Sequence, residues 1–176
     1  MFIGLRLVKF LHELGHNVTV LNRGISEAVL PTGVNRIVVD RMDASGVNDA
    51  IGNESFDVVF DISCYTPEAL TPVIAALNGN VGHFIFCSTT SVYQTSNVSP
   101  IIEEFPLDRG IDASDYARNK IICEDILMQS VADHGFPATI LRPPYVYGPH
   151  NKIIQREFSF FARLLHGRQI LSLIHI

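Results

Sequence analysis

Tyr116 and Lys120 stand four residues apart in the stretch Tyr116-Ala117-Arg118-Asn119-Lys120. On a helix that spacing puts two side chains on one face, one turn from each other. A lysine charge beside a phenol favours tyrosinate and lowers the phenol's pKa. Tyr116 is then usable as a general base or acid on a substrate alcohol near neutral pH. A lone Tyr-x-x-x-Lys is common by chance, and its plain reading is an aromatic ring packed on a lysine stem. Order gives this pair more weight. A hydroxyl-rich strand end, Cys87-Ser88-Thr89-Thr90-Ser91, precedes it, and Arg142-Pro143-Pro144-Tyr145-Val146-Tyr147-Gly148-Pro149 follows it.

The elements that must position these residues follow from periodicity. Ile3, Leu7, Phe10, Leu11 and Leu14 fall at helical spacing, and Gly15 stops that helix. Val18 to Leu21 reads as a short buried strand and Asn22-Arg23-Gly24 as the turn leaving it. Arg36 to Val39 is a second strand, ending at Asp40-Arg41-Met42-Asp43, and Val47 to Ile51 a short helix. Asp57 to Ile62 is a continuous apolar strand of the kind parallel sheets bury on both faces. Glu68 to Leu77 reads as a helix, His83 to Cys87 as a strand and Ser114 to His134 as the long helix carrying Tyr116 and Lys120. Ala138 to Leu141 is the last strand and Ile154 to Leu165 the last helix. Strands alternating with helices predict an α/β fold with a doubly wound parallel sheet.

Composition narrows the function classes. The chain has 176 residues, enough for one domain with a sizeable core. A net charge of −5 gives no basic footprint for nucleic acid. No apolar run approaches the ~20 residues of a membrane span, and the first residues read as an amphipathic helix rather than a signal peptide. Cys64, Cys87 and Cys123 are widely spaced with no Cys-x-x-Cys, which suggests reduced thiols and a cytoplasmic location. The seven histidines show no metal spacing.

The ordered set resembles the extended short-chain dehydrogenase/reductases of the NAD-dependent epimerase/dehydratase type. Phe2-Ile3-Gly4, the amphipathic helix, Gly15-His16 and Val18-Thr19-Val20-Leu21-Asn22-Arg23-Gly24 are similar to that family's opening, and Tyr116 and Lys120 follow Thr89 at the family's spacing. The resemblance implies a Rossmann-type sheet and an NAD or NADP cofactor. It implies that Tyr116 moves the proton, that Lys120 binds the nicotinamide ribose and tunes Tyr116, and that Thr89, with Ser88 beside it, holds the substrate hydroxyl. It places Phe2, Ile3 and Gly4 at the end of a phosphate-binding loop. Asp43 falls at an adenine contact, Ser63 where backbone lines the cofactor, and Pro143 near the nicotinamide carboxamide. Asn22 lacks the carboxylate that selects NAD, and Arg23 could pair with a 2′-phosphate, which favours NADP slightly. Tyr145 stands at a substrate position where many sugar-nucleotide members carry Asn. With Asn151, it resembles instead a branch that includes plastid stem-loop RNA-binding relatives. Thr90 and Ser91 stand where 4,6-dehydratases carry Asp-Glu, which argues against dehydration.

The resemblance also bears on the ends of the chain. The family's first strand and the earlier glycines of its loop lie before Gly4, so Met1 reads as an internal start and the sheet as lacking its first strand. Leu171 to Ile176 resembles the translation of a sequencing adaptor and reads as a non-native tail on a Rossmann domain of residues 1–170. The expected parent is an epimerase or reductase acting on a secondary alcohol, most plausibly of a nucleotide-linked sugar, with room for a homodimer. The fragment itself is expected to be inactive. The rival expectation is a non-catalytic RNA-binding or regulatory protein on the same fold.

Overall fold

The computed structural model describes residues 2–25, 28–148, 151 and 157–169. Helix α1 (Phe2–Glu13) leads into strand β1 (Thr19–Asn22), which pairs in parallel with β2 (Asn35–Val38) from Thr19 opposite Asn35 to Asn22 opposite Val38. Helix α2 (Ala44–Ile51) follows, then β3 (Phe56–Asp61), α3 (Pro67–Leu77) and β4 (Val81–Cys87). After a 3-10 turn at Thr90–Val92, the long helix α4 (Asp115–His134) leads to β5 (Ala138–Leu141), and α5 (Glu157–Leu165) is the last described element. The sequence assignments hold for every strand and helix to within a few residues. The expected Ile154–Arg156 start of the last helix, the 171–176 tail and Pro149 lie outside the described residues.

The strands form two parallel sheets, β1-β2 and β3-β4-β5. Among the described residues no strand pairs with the free edge of β1 or of β3. Helices α2, α3 and α4 pack side by side on one face. They bury Val47 and Ile51 of α2, Leu70, Val73, Ile74 and Leu77 of α3, and Cys123 and Leu127 of α4 against Phe84 and Phe86 of β4. Leu21 and Ile37 from the smaller sheet join the same core. A second tie is ionic: Arg41, just past β2, makes two hydrogen bonds to Asp61 at the end of β3, at 2.9 and 2.5 Å, and donates a third to the Ala69 carbonyl at 2.8 Å.

The other face departs from expectation. Val58 is 45% exposed and Leu141 49%. The apolar run of β3 is therefore not buried on both faces, because β3 is an edge strand here and no described element covers that side extensively. Phe10 and Leu14 of α1 are also exposed. Between β3 and β4 the backbones come so close that a Cβ on Gly82 would sit 2.6 Å from the Asp57 carbonyl oxygen. Glycine is required there by space.

Phe84, fully buried, packs its ring 5.5 Å from that of Phe136 at the centre of this core. Phe84→Ala should therefore lower unfolding free energy by about 3–5 kcal/mol, read as a shift in the urea midpoint.

Candidate functional site

Local chemistry sets the register of α4. Ser114 caps its start, with Oγ accepting from the Ala117 N–H at 3.2 Å, and Gly135 ends it in the left-handed conformation at φ 65°. Between these stops one face turns inward, carrying Ala117, Lys120, Ile121, Glu124 and Leu127. Tyr116 sits at the edge of that face, 43% exposed.

Lys120 is only 1% exposed. Its ammonium donates to the backbone carbonyls of Cys64 and Cys87, both at 2.6 Å. Cys87 ends β4 and Cys64 lies just past β3, so the lysine straps the helix across two strand ends. Nζ also lies 4.8 Å from the centroid of the Phe86 ring, 5.5 Å from that of Tyr65 and 5.9 Å from that of Tyr116. Burial pushes the ammonium below the ordinary lysine range, while nearby Cys87, Cys64 and Asp61 oppose that shift. Two of its three donors serve the carbonyls, which leaves one for a ligand.

Thr89, at the foot of the 3-10 turn, accepts from the Ser91 N–H at 3.2 Å and donates to the Ser91 hydroxyl at 3.2 Å. The adjacent residue corrects an expectation. Ser88 is not turned toward an open site. It is 3% exposed and donates its hydroxyl to Glu124. Glu124, also 3% exposed, accepts from Arg142 Nε at 3.1 Å and Nη2 at 2.7 Å. Arg142 Nη1 donates to the Tyr93 hydroxyl at 2.9 Å and the Glu103 carbonyl at 3.0 Å. The carboxylate raises the pKa of Arg142 further above its ordinary value. Ser88, Glu124 and Arg142 thus join the ends of β4 and β5 to α4, at the residue preceding Thr89. The Thr90 N–H adds a 3.1 Å bond to the Pro143 carbonyl.

The remaining expected site residues share one geometric property: most follow the carboxyl end of a parallel strand, where ligands bind in open α/β sheets. Asn22 and Arg23 end β1, Asp43 follows β2, Ser63 follows β3, and Pro143 and Tyr145 follow β5. Asn22 Oδ1 accepts from the Gly24 N–H at 2.9 Å, and Arg23 is exposed. Asp43 caps α2, accepting from the Gly46 N–H at 3.1 Å and the Ser45 hydroxyl at 2.9 Å. Asp61, at the end of β3, is the buried partner of Arg41. Ser63 and Tyr145 are exposed. Asn151 donates its backbone N–H to the Gly148 carbonyl at 3.3 Å. Phe2, Ile3 and Gly4 form the first turn of α1, where nothing lies within 4 Å of a Cβ built on Gly4. No cluster of three or more metal-binding side chains exists among the described residues.

Sequence reasoning missed Tyr65 and Glu124. Glu124 had a readable signal, since it lies one helical turn beyond Lys120 on the same face. Tyr65 had none, because its place beside Tyr116, at 6.3 Å between ring centroids, depends on the loop after β3.

A Rossmann-like sheet with a Tyr–Lys helix docked on its strand ends defines a class of dinucleotide-dependent α/β proteins, and the comparisons agree. The NAD dependent epimerase/dehydratase family profile matches residues 2–174, and the chain belongs to that family. It is 32% identical to the chloroplast stem-loop binding protein of 41 kDa b of Arabidopsis thaliana, over 96% of this chain and 46% of that protein. It is 25% identical to the 2′-dehydrokanamycin reductase of Streptomyces kanamyceticus, over 82% of this chain and 40% of that one. The chain thus spans about half the length of these curated relatives or less. In fold it is similar to the UDP-glucose 4-epimerase of Thermotoga maritima, solved with UDP-glucose. The TM-score is 0.79 at 21% identity, over 96% of this chain and 62% of that one. A Thermus thermophilus UDP-glucose 4-epimerase in complex with NAD gives a TM-score of 0.74 at 22% identity, over 96% and 61%.

The Gly46 N–H and the Ser45 hydroxyl hold the Asp43 carboxyl below the ordinary aspartate range. A depressed folded pKa contributes stability that is present above the unfolded value, near about 3.9, and lost as pH falls through the folded one. The urea midpoint of the wild type should therefore fall relative to that of Asp43→Asn on going from about pH 5 to about pH 2.5.

Proposed function

We propose that this chain is the cofactor-binding part of an NAD(P)-dependent epimerase or reductase acting on a secondary alcohol, with nucleotide-linked sugars as the preferred substrate class. One observation carries the proposal. Tyr116 and Lys120 are docked, through the two carbonyl bonds of Lys120, on the strand ends that also present Thr89. UDP-glucose in an epimerase of the same fold supports the substrate class, and the related aminoglycoside-type reductase supports simple reduction as the near alternative.

The residues suit a pyridine dinucleotide. The third donor of Lys120 matches a ribose hydroxyl, and the exposed Arg23 at the end of β1 matches a 2′-phosphate, which favours NADP over NAD. The bound nicotinamide supplies the hydride chemistry. The protein's own part is the proton. Tyr116 takes the hydroxyl proton when the alcohol is oxidised and returns it when the ketone is reduced. Thr89 orients that hydroxyl, and the network of Ser88, Glu124 and Arg142 holds Thr89 in place. In epimerisation the same phenol serves both half-reactions. The free thiols Cys64, Cys87 and Cys123 fit a cytoplasmic location.

In a full-length protein containing this segment, Tyr116→Phe should lower kcat about 10²–10⁴-fold with NADPH affinity nearly unchanged. Lys120→Met should weaken NADPH binding as well. Wild-type turnover by Tyr116→Phe would sink the catalytic assignment.

A second reading has an observation of its own, the 32% identity to a stem-loop binding protein. In it the fold binds RNA without catalysis. The net charge of −5 weighs against it, because phosphate contacts require cationic side chains. A salt titration of stem-loop RNA binding beside nicotinamide fluorescence separates the two. Tight, steeply salt-dependent RNA binding with no nucleotide uptake would establish the second reading and overturn the first.

A further inference from the structure

The proposed chemistry needs a ligand hydroxyl to reach the Lys120 ammonium, yet Lys120 is 1% exposed. Some group must move. Besides the two carbonyls, the rings of Phe86, Tyr65 and Tyr116 surround Nζ at 4.8, 5.5 and 5.9 Å. Phe86 is fully buried on the central strand of its sheet, between Asp61 of β3 and Ile140 of β5. Moving it would disturb the core. Tyr116 stands in the capped first turn of α4 and is less exposed, at 43%. Tyr65 differs from both. It lies on the connection between β3 and α3, and at 58% exposure it is the most solvent-facing of the three rings.

The contacts of Tyr65 also suit a movable cover. It meets Tyr116 with the ring planes tilted by 46° and offers its ring to the ammonium. Both contacts are weak beside a hydrogen bond from a charged donor. Its neighbour Cys64 is held through the carbonyl bond to Lys120, and the Thr66 carbonyl accepts from the Ala69 N–H at 3.2 Å. The backbone on either side is therefore anchored while the side chain can rotate about its own bonds.

We propose that Tyr65 is a gate: its ring covers the Lys120 ammonium and swings aside to let a ligand hydroxyl take the remaining N–H. The identity of that ligand, a pyridine-nucleotide ribose, rests on the function proposed above. The covering itself does not. Tyr65 is thus a positioning and access residue, not a catalytic one.

The test is acetylation of the chain by acetic anhydride, with the rate at each lysine followed by peptide mass spectrometry. Lys9 on α1 serves as the internal reference. In the wild type Lys120 should react far more slowly than Lys9. Tyr65→Phe, which keeps the ring, should match the wild type. Tyr65→Ala should raise the rate at Lys120 by about tenfold with Lys9 unchanged. Circular dichroism and the urea midpoint verify that each variant is folded. If Tyr65→Ala fails to fold, Tyr65→Leu, which keeps bulk but not the ring, is read the same way. Wild-type protection of Lys120 in a folded Tyr65→Ala or Tyr65→Leu protein would overturn the gate. No nucleotide is present in the assay, so a failed gate and a failed cofactor assignment show up in different experiments.

Discussion

A lysine ammonium removed from water has to be solvated by the protein itself, and two carbonyl oxygens do this for Lys120. Those oxygens belong to chain segments 23 residues apart, at the ends of β3 and β4. Satisfying one cation therefore fixes the spacing of two strand ends and the rotation of α4 about its axis. Tyr116, one turn earlier, takes its position from the same constraint. These hydrogen bonds join the helix layer to the sheet, a link that the strands' own ladder does not make.

One turn further along α4, Glu124 repeats the arrangement with the opposite charge. Its carboxylate gathers Ser88 from β4 and Arg142 from β5. A buried carboxylate without such partners would be costly, and here it has a hydroxyl and a guanidinium. Lys120 and Glu124 thus form two polar fasteners along one helix face, with the apolar core of Leu127 and Cys123 beside them. The first faces the site from below Tyr65, and the second stands behind Thr89. Arg41 and Asp61 play the corresponding part between the two sheets.

Much of this was legible in the residues. Period-two and period-3.6 patterns located every strand and helix, because apolar side chains alternate or recur wherever one core lies beneath them. The Tyr116–Lys120 spacing gave the face of α4 that turns toward the strand ends. What was not legible depends on tertiary pairing. Ser88 and Thr89 are neighbouring hydroxyls, and which one turns inward is decided by Glu124, 36 residues away. The pairing of Asp61 with Arg41, 20 residues earlier, likewise has no local pattern. Tyr65 has no local pattern, because the carbonyl next to it, not its own side chain, is what the fold fixes. The exposure of Val58 was missed for a related reason. An apolar run announces a strand but not how many neighbours that strand has.

The free edges of β1 and β3 carry a consequence for handling the protein. A sheet edge is a row of unsatisfied N–H and C=O groups, and β3 adds the apolar side chain of Val58. Neither edge bears the lysine, proline or bulge that blunts such templates in stable β-proteins; Thr19-Val20-Leu21-Asn22 and Phe56-Asp57-Val58-Val59-Phe60-Asp61 are regular throughout. Among the described residues β2 and β5 are the other edges of the two sheets, so four strands in all present backbone groups open to pairing. Pairing through such an edge would be made of short-range backbone hydrogen bonds, which salt screens far less than it screens surface charge.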